Sequence, residues 1–260
     1  MPPLNQRLAA DIVRQAFGDD GETASEPSIV AATAELLTAV SALVTALPWV
    51  TGALLDPVVF DGARAVVLGA TLVVHPDRKL LRGYPHMAIH PYPVELIGDV
   101  PLPDGATLHV RPIRPEDADT ERAFVSALSE STRYYRFFYR LSELTPSMLA
   151  RFTQVDYDRE LALVALDAGA AAATPAFVGV ARYIANPDRV SAEFAVVIAD
   201  AWQRRGVGRV LMKGLIVCAK RRGLERIEGA VLRDNEPMLA FVRALGFALR
   251  DDPADATLLV

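Results

Sequence analysis

The stretch Ala192-Glu-Phe-Ala-Val-Val-Ile-Ala-Asp-Ala-Trp-Gln-Arg-Arg-Gly-Val-Gly-Arg209 decides how the chain folds. Its first half is an aliphatic run that reads as a strand over 190–199, and Gln203, Arg204 and Arg205 lead from it into a helix over 206–222. Val207, Val210, Leu211, Leu215 and Cys218 form the apolar face of that helix, and Gly223 stands where a left-handed cap would end it. Gly206 and Gly208 occupy the connecting turn. Glycines there let a ligand's phosphates approach the backbone, and the free N–H groups of the first helical turn donate to them. The same pair fits a tight turn with no ligand, so both readings stand at this point. The dinucleotide fingerprint is excluded, because Leu211 replaces its third glycine and the strands before it read as antiparallel.

Outward from that turn the pattern is regular. Upstream lie a strand at 107–113, a helix at 115–129, an aromatic-rich turn at 133–139, a helix at 145–153 and strands at 160–167 and 176–184. The strands 176–184 and 190–199 can form an antiparallel meander with its turn at Asn186-Pro-Asp188. Downstream follow a strand at 225–232, a helix at 236–245 and a closing pair of strands from 247. Residues 106–260 thus read as one α/β domain with a mixed sheet. Before it, Leu8, Ile12, Val13 and Phe17 mark a helix within 4–17, closed by Gly18-Asp-Asp-Gly21, and a second helix spans 28–47. Aliphatic runs at 53–60 and 64–74 flank Asp61-Gly62, a strong hairpin signal. Six prolines mark residues 76–105 as a linker or a strap across a surface.

Composition narrows the function classes. With 260 residues, 52% hydrophobic and 23% charged, the chain buries a core and is not disordered. A single cysteine, Cys218, and a start without signal-peptide character point to a reducing, cytoplasmic setting. A net charge of −5 argues against wrapping nucleic acid. Leu36 to Leu55 has no charge and the length of a bilayer span, but Thr38, Ser41 and Thr45 give it a polar stripe, Pro48 breaks it and its flanks are acidic. It reads as a buried amphipathic helix, turn and strand, so no membrane is expected. His86 and His90 stand four apart among prolines with no third ligand nearby, so no metal is expected.

Three features taken together, Gln203-x-x-Gly206-x-Gly208, Asn235 after the next strand, and Leu245-Gly246-Phe247 ending the following helix, resemble the GNAT superfamily of acyl-CoA-dependent N-acetyltransferases over residues 106–260. The resemblance implies a central mixed, mostly antiparallel sheet with splayed strands, and acetyl-CoA as co-substrate. It implies that Gln203, Arg204, Arg205, Gly206, Val207, Gly208 and Arg209 hold the CoA pyrophosphate, largely through backbone groups, in a slot opened between 190–199 and 225–232. Backbone amides near Val197 and Ile198 would polarise the thioester carbonyl, and Asn235 would bond the pantetheine or nucleotide arm. Glu193 occupies the place where lysine-directed members carry a glutamate, and is the candidate general base. Its neighbours Ala192 and Phe194 lead to the expectation of a desolvated carboxyl with a raised pKa, against the plain alternative of an exposed strand-edge glutamate. Val242 stands where small-amine members carry a tyrosine acid, which argues against that mechanism. Tyr134, Tyr135 and Tyr183 are further tyrosines that the sequence does not place.

Arg111-Pro-Ile-Arg-Pro-Glu-Asp117, Arg133-Tyr-Tyr-Arg-Phe-Phe138 and Arg151-Phe-Thr-Gln-Val-Asp-Tyr-Asp-Arg-Glu160 are similar to bacterial protein lysine acetyltransferases of the Pat type. That similarity implies a protein substrate, an acyl-CoA synthetase, acetylated on a lysine ε-amine. The middle stretch either packs helix to sheet or lines the acceptor groove. Pro2-Pro-Leu-Asn5, the helix 28–47, the hairpin 53–74 and Tyr84-Pro-His-Met-Ala-Ile-His-Pro-Tyr92 resemble the last piece of the ATP-grasp part of an NDP-forming acyl-CoA synthetase and its join to the acetyltransferase. Asp56 and Gly69 replace the chelating pair expected there, so the remnant at 1–75 is read as having no ATP chemistry. Rival readings are a small-amine or peptide N-acetyltransferase, a non-catalytic acyl-CoA-binding module that docks a synthetase, and one subunit of a split synthetase. The sequence does not choose an oligomeric state.

Overall fold

The computed structural model describes residues 4–17, 27–61, 64–75, 90–169, 176–251 and 257–259, the last three for backbone alone. The expected loop 18–21, Gly62 of the hairpin turn, His86 and most of the proline-rich stretch lie outside these residues, as does most of 84–92. The chain divides into two compact units, Met1–Pro91 and Tyr92–Val260.

In the first unit α1 (Gln6–Phe17) packs on α2 (Pro27–Ala46). Ser41, one member of the polar stripe, accepts the Leu4 amide at 2.8 Å, while Thr38 and Thr45 bond back to carbonyls one turn earlier. By length and composition α2 is apolar enough to cross a bilayer. Beyond it runs a long hairpin in two paired sections. β1 (Val50–Leu55) pairs with β4 (Ala70–Val74), and β2 (Val58–Asp61) pairs with β3 (Arg64–Val67), all antiparallel. Gly69 sits where they meet because any side chain there would collide with the Asp56 carbonyl.

The second unit is built on a six-stranded sheet. From one edge to the other its strands are β10 (Arg226–Glu228), β9 (Ser191–Ile198), β8 (Phe177–Ala185), β7 (Glu160–Asp167), β6 (Thr107–Pro112) and β5 (Gly98–Pro101). Every pairing is antiparallel except β9 with β10, which makes the sheet mixed. The linker expected over 76–105 therefore ends early: residues 98–101 are the sheet's outer strand, and Pro101 closes it at the edge, where a missing donor is tolerated.

Long apolar runs at β7 and β8 reflect burial on both faces. α3 (Ala118–Ala127) and α6 (Val207–Arg221) both pack on β8. A side chain at Gly179 would meet Val207 and Leu211 of α6, which puts Gly179, Ala181 and Tyr183 of β8 on that face and leaves Arg182 on the other. α4 (Glu130–Phe137) and α5 (Pro146–Thr153) follow α3, with Ser129 and Thr145 as side-chain N-caps. The aromatic-rich stretch expected as a turn is thus mostly helix. The strand expected over 225–232 is interrupted: after Glu228 the chain leaves β9 at Gly229, and β11 (Ala230–Leu232) pairs instead with β13 (Thr257–Leu259), which also pairs with β12 (Arg250–Asp251). Phe194 crowds Gly229, so no side chain fits at the point of divergence. α7 (Glu236–Ala244) connects β11 to β12.

Candidate active site

The divergence of β10 and β11 from β9 opens the site. β9 pairs in parallel with β10 only as far as Glu193, which leaves 194–198 without a neighbour on that side among the described residues. The register shows which backbone groups face the gap. Ala199 donates to Val178 and Ser191 accepts from Asn186, so the odd-numbered residues of β9 bond to β8 and the even-numbered ones point away. The amides of Val196 and Ile198 therefore look into the slot, whereas that of Val197 is committed to Val180. Of the two amides expected to face a ligand, that of Ile198 does so and that of Val197 does not.

A cleft of about 540 Å³ extends from this slot to the start of α6. Gln203, Arg204, Gly206, Gly208, Arg209 and Asn235 line it, as do Val197, Ile198 and Glu193. Arg204 (φ 60°) and Gly206 (φ 100°) turn the chain into α6 through left-handed backbone. Gly206 caps the helix without a side-chain acceptor, so the first N–H groups remain available, and the first turn carries no acidic residue. A carbon added at Gly208 would stand 3.2 Å from the Phe241 ring, closer than ordinary van der Waals contact, so a side chain there would crowd a ring that lines the cleft. Free N–H groups with no acid beside them suit a phosphate-bearing arm, and the unpaired side of β9 opens into the same cleft, so the residues present fit the group that the resemblance implies. Gln203 donates to the Ile198 carbonyl at 3.2 Å and so ties the turn to the strand.

Two expected cradle residues do other work. The Arg205 side chain pairs with Asp104 and stacks 3.9 Å over Trp202, and the Val207 side chain is buried in the core, leaving only its backbone near the cleft. Asn235 caps α7 by accepting the Met238 amide at 3.2 Å, so its carbonyl oxygen is engaged and its NH2 group is the part left for a ligand.

Glu193 lies in the cleft and is exposed, not desolvated as expected. Strand alternation is the reason: Ala192 and Phe194 are buried on the opposite face, so the flanking apolar residues never surround the carboxyl. Glu193 registers with Ile184 of β8 and Glu228 of β10. Tyr183 is fully buried on the face of α6, away from the cleft, and Val242 is buried as well. Among the described tyrosines only Tyr135 lines the cleft, and its hydroxyl donates to the Asp234 carbonyl at 3.4 Å.

The three arginine-rich stretches divide by role. Arg111 and Asp117 form a buried pair with two 2.7 Å bonds, and Asp117 also accepts the Arg114 amide. Arg151 pairs with Glu160, while Asp156 accepts three backbone amides and the Arg159 side chain, so that stretch shapes the entry to β7. In the middle stretch Phe137 stacks on Phe152 and Arg133 holds the Ser126 carbonyl, but Tyr135, Arg136 and Phe138 line the cleft. The stretch thus packs its helix with some residues and lines the cleft with others.

Sequence reasoning offered Arg136 only within a stretch that either packs or lines a groove, and missed Asp200 as a part of the site. Asp200 accepts the Ser129 amide at 2.8 Å and the hydroxyls of Ser129 (2.8 Å) and Thr132 (2.6 Å), clipping α4 to the end of β9. Ser129-x-x-Thr132 is a visible cap signal, but nothing local links it to a carboxylate 71 residues away. Among the described residues no group of three or more His, Cys, Asp or Glu is arranged to hold a metal.

The sequence model described as Acetyltransferase (GNAT) family matches residues 126–247. The chain is 36% identical over 159 residues to "Acetyltransferase PA5475" of Pseudomonas aeruginosa, spanning 61% of this chain and 84% of that relative. It is 30% identical over 144 residues to "Acetyltransferase Pat" of Mycolicibacterium smegmatis, spanning 55% of this chain and 41% of Pat. The crystal structure of the GNAT domain of S. lividans PAT superimposes with a TM-score of 0.60 at 30% identity, over 65% of this chain and 97% of that one.

Proposed function

The chain belongs to the acetyltransferase (GNAT) family, and from that membership we propose that it moves an acetyl group from acetyl-CoA to a lysine ε-amine of a protein, with Glu193 as general base. The observation that carries this reading is the placement of Glu193. A carboxylate stands on the strand that runs into the N–H-lined turn, so base, slot and anion cradle share one cleft. Similarity to the two Pat proteins supports a protein acceptor, and the sequence resemblance supports an acyl-CoA synthetase.

Bound acetyl-CoA supplies an activated acyl group. The chain's own residues do the rest. The α6 N-terminus, with Arg204 and Arg209, holds phosphate charge, and the amides of Val196 and Ile198 donate to an oxygen carried into the slot. Glu193, on the open side, takes the proton that a lysine ammonium must lose before its nitrogen can attack. A polycationic small amine is less well served, because the Arg136 cation lines the same cleft. Residues 1–75, read as an ATP-grasp-like remnant, would dock the acceptor. Their hairpin presents Leu54 and Leu68 at 63% and 64% exposure.

The test combines the purified chain, acetyl-CoA and a panel of acyl-CoA synthetases, and follows released CoA together with the mass of each intact protein. One acetyl group on one synthetase, with the rate falling at least about a hundredfold in Glu193→Gln, is the expected result. Tight acetyl-CoA binding with no transfer to any protein would point to a small amine or to a sensor.

A further inference from the structure

α4 ends on a residue that backbone strain and solvent exposure both disfavour. Phe138, its C-cap, is held in left-handed backbone at φ 65°, with its amide donating to the Tyr134 carbonyl at 2.7 Å. Glycine or asparagine takes such a position with little strain, whereas a bulky side chain crowds the backbone there. Burial does little to offset the strain, because Phe138 is 42% exposed. The preceding ring, Phe137, stacks on Phe152 and pins the last turn of the helix, while Phe138 lines the cleft. Tyr134 and Tyr139 are exposed as well, but of these three aromatic residues only Phe138 lines the cleft. A strained, exposed ring at a cleft wall points to a bound molecule as its partner.

Position along the cleft tells which substrate the ring meets. Ser129 and Thr132 bond to Asp200, and Gln203 donates to the Thr132 hydroxyl at 3.4 Å, so α4 begins beside the phosphate-binding turn. The helix packs on β9 and runs for eight residues, or about 12 Å. Its last turn therefore lies away from the phosphate-binding turn. Phe138 shares the cleft with Glu193, which stands near the start of β9, whereas the phosphate-binding turn follows the strand's end.

We propose that Phe138 is an acceptor-binding residue: its ring is the wall along which the four-methylene stem of the acceptor lysine lies while the ammonium reaches Glu193. The proposal deepens the reading of the chain as a lysine acetyltransferase and rests on it. The chemistries match, because a lysine side chain is apolar along its stem and charged only at its tip. The ring takes the stem and the carboxylate takes the tip. The left-handed cap fixes the direction of the ring before the acceptor arrives, which lowers the entropy lost on binding. A short polar amine has no stem to lay against it.

The test uses two short peptides that differ only in carrying lysine or 5-hydroxylysine, whose hydroxyl sits on the stem. Steady-state acetylation is measured with wild type, Phe138→Gly, Phe138→Ala and Phe138→Tyr. Wild type should prefer lysine at least about fivefold in kcat/KM, because the hydroxyl would be laid against an apolar wall. Phe138→Gly and Phe138→Ala should lose about tenfold on the lysine peptide, mostly through KM, and should no longer tell the two peptides apart. Phe138→Tyr keeps the ring and should keep the preference. Acetyl-CoA affinity, by calorimetry, should stay within about threefold in every variant. The urea midpoint of Phe138→Gly should exceed that of Phe138→Ala, since both lose the ring and only glycine is at ease at φ 65°. A wild type indifferent to the hydroxyl overturns the proposal whether or not any variant folds, and so does a preference that survives in Phe138→Gly. Loss of acetyl-CoA affinity as large as the loss on peptide would put the ring on the CoA arm and overturn it too. Equal urea midpoints would remove the strain from which it starts. A wild type that acetylates neither peptide nor any protein overturns the lysine acetyltransferase reading itself, and the role of Phe138 with it.

Discussion

Arg111 and Asp117 are nearly closed to solvent, and each satisfies the other through two parallel bonds. Neither charge has water to return to when its partner is removed, so Asp117→Ala should destabilise the unit by about 3 kcal/mol, seen as a lower urea midpoint. A change under 1 kcal/mol would mean that water replaces the lost carboxylate. Tyr183 presents the reverse case. Its hydroxyl is buried without a partner among the described residues, and burial pushes its pKa to about 12. Tyr183→Phe should therefore match wild type or exceed it by about 1 kcal/mol; a loss of 2 kcal/mol in the same melt would reveal a partner for the hydroxyl. At this scale Gly206, Gly208 and Gln203 were legible in sequence, because their roles are local to one turn. Glu193 was legible as a candidate, but its surroundings were not, since a strand turns consecutive residues to opposite faces. Asp200 was hidden for another reason: its partners Ser129 and Thr132 belong to another element.

α4 shows how an element can escape a reading based on periodicity. Its residues Glu130–Phe137 are polar and aromatic, with no clean apolar stripe, so the sequence suggests a turn. The helix is held instead by Ser129, which caps it, and by Asp200, which fixes that cap to the end of β9 across the cleft. Burial raises the Asp200 pKa, but the donors Thr132 and Ser129 outweigh it and the net shift is downward. The sign of the linkage follows. A carboxyl with a lowered folded pKa contributes its stability in full above its unfolded value, near 4, and loses it as pH falls through the lower folded value. Asp200→Asn should lower the urea midpoint at pH 7 and flatten its fall below about pH 4. It should also raise KM for the acceptor, because α4 carries Tyr135 and Arg136 into the cleft. Wild-type pH dependence together with wild-type KM would show the clip to be dispensable.

The main hydrophobic core lies wholly within Leu102–Val242, and the cleft is lined by residues between Ser131 and Phe241. The sequence foresaw this unit because its strands and helices announce themselves by period. It placed the start too late, since the edge strand 98–101 lies amid prolines and has no periodic signal. The first unit has far less to hold it, with Ala9, Val13, Ala32, Ala34 and Val50 its buried apolar residues among those described. It also exposes Val59, Phe60, Val66, Leu72, Val73 and Val74 along the hairpin. Such a surface is a poor end state in water and a reasonable docking face, and what covers it is not written in the hairpin's own sequence. The two units should therefore separate by function. A fragment comprising Tyr92–Val260 should bind acetyl-CoA with a Kd within about threefold of the full chain, a difference of less than about 1 kcal/mol, by calorimetry. It should acetylate a short lysine peptide at an undiminished rate, because base, slot and cradle are all retained. Against a folded protein acceptor the same fragment should lose at least about tenfold in kcat/KM, the equivalent of about 1.4 kcal/mol of docking. Equal loss on peptide and protein would mean that the first unit supports the cleft itself, and no loss on either would leave the hairpin without a part in acceptor recognition.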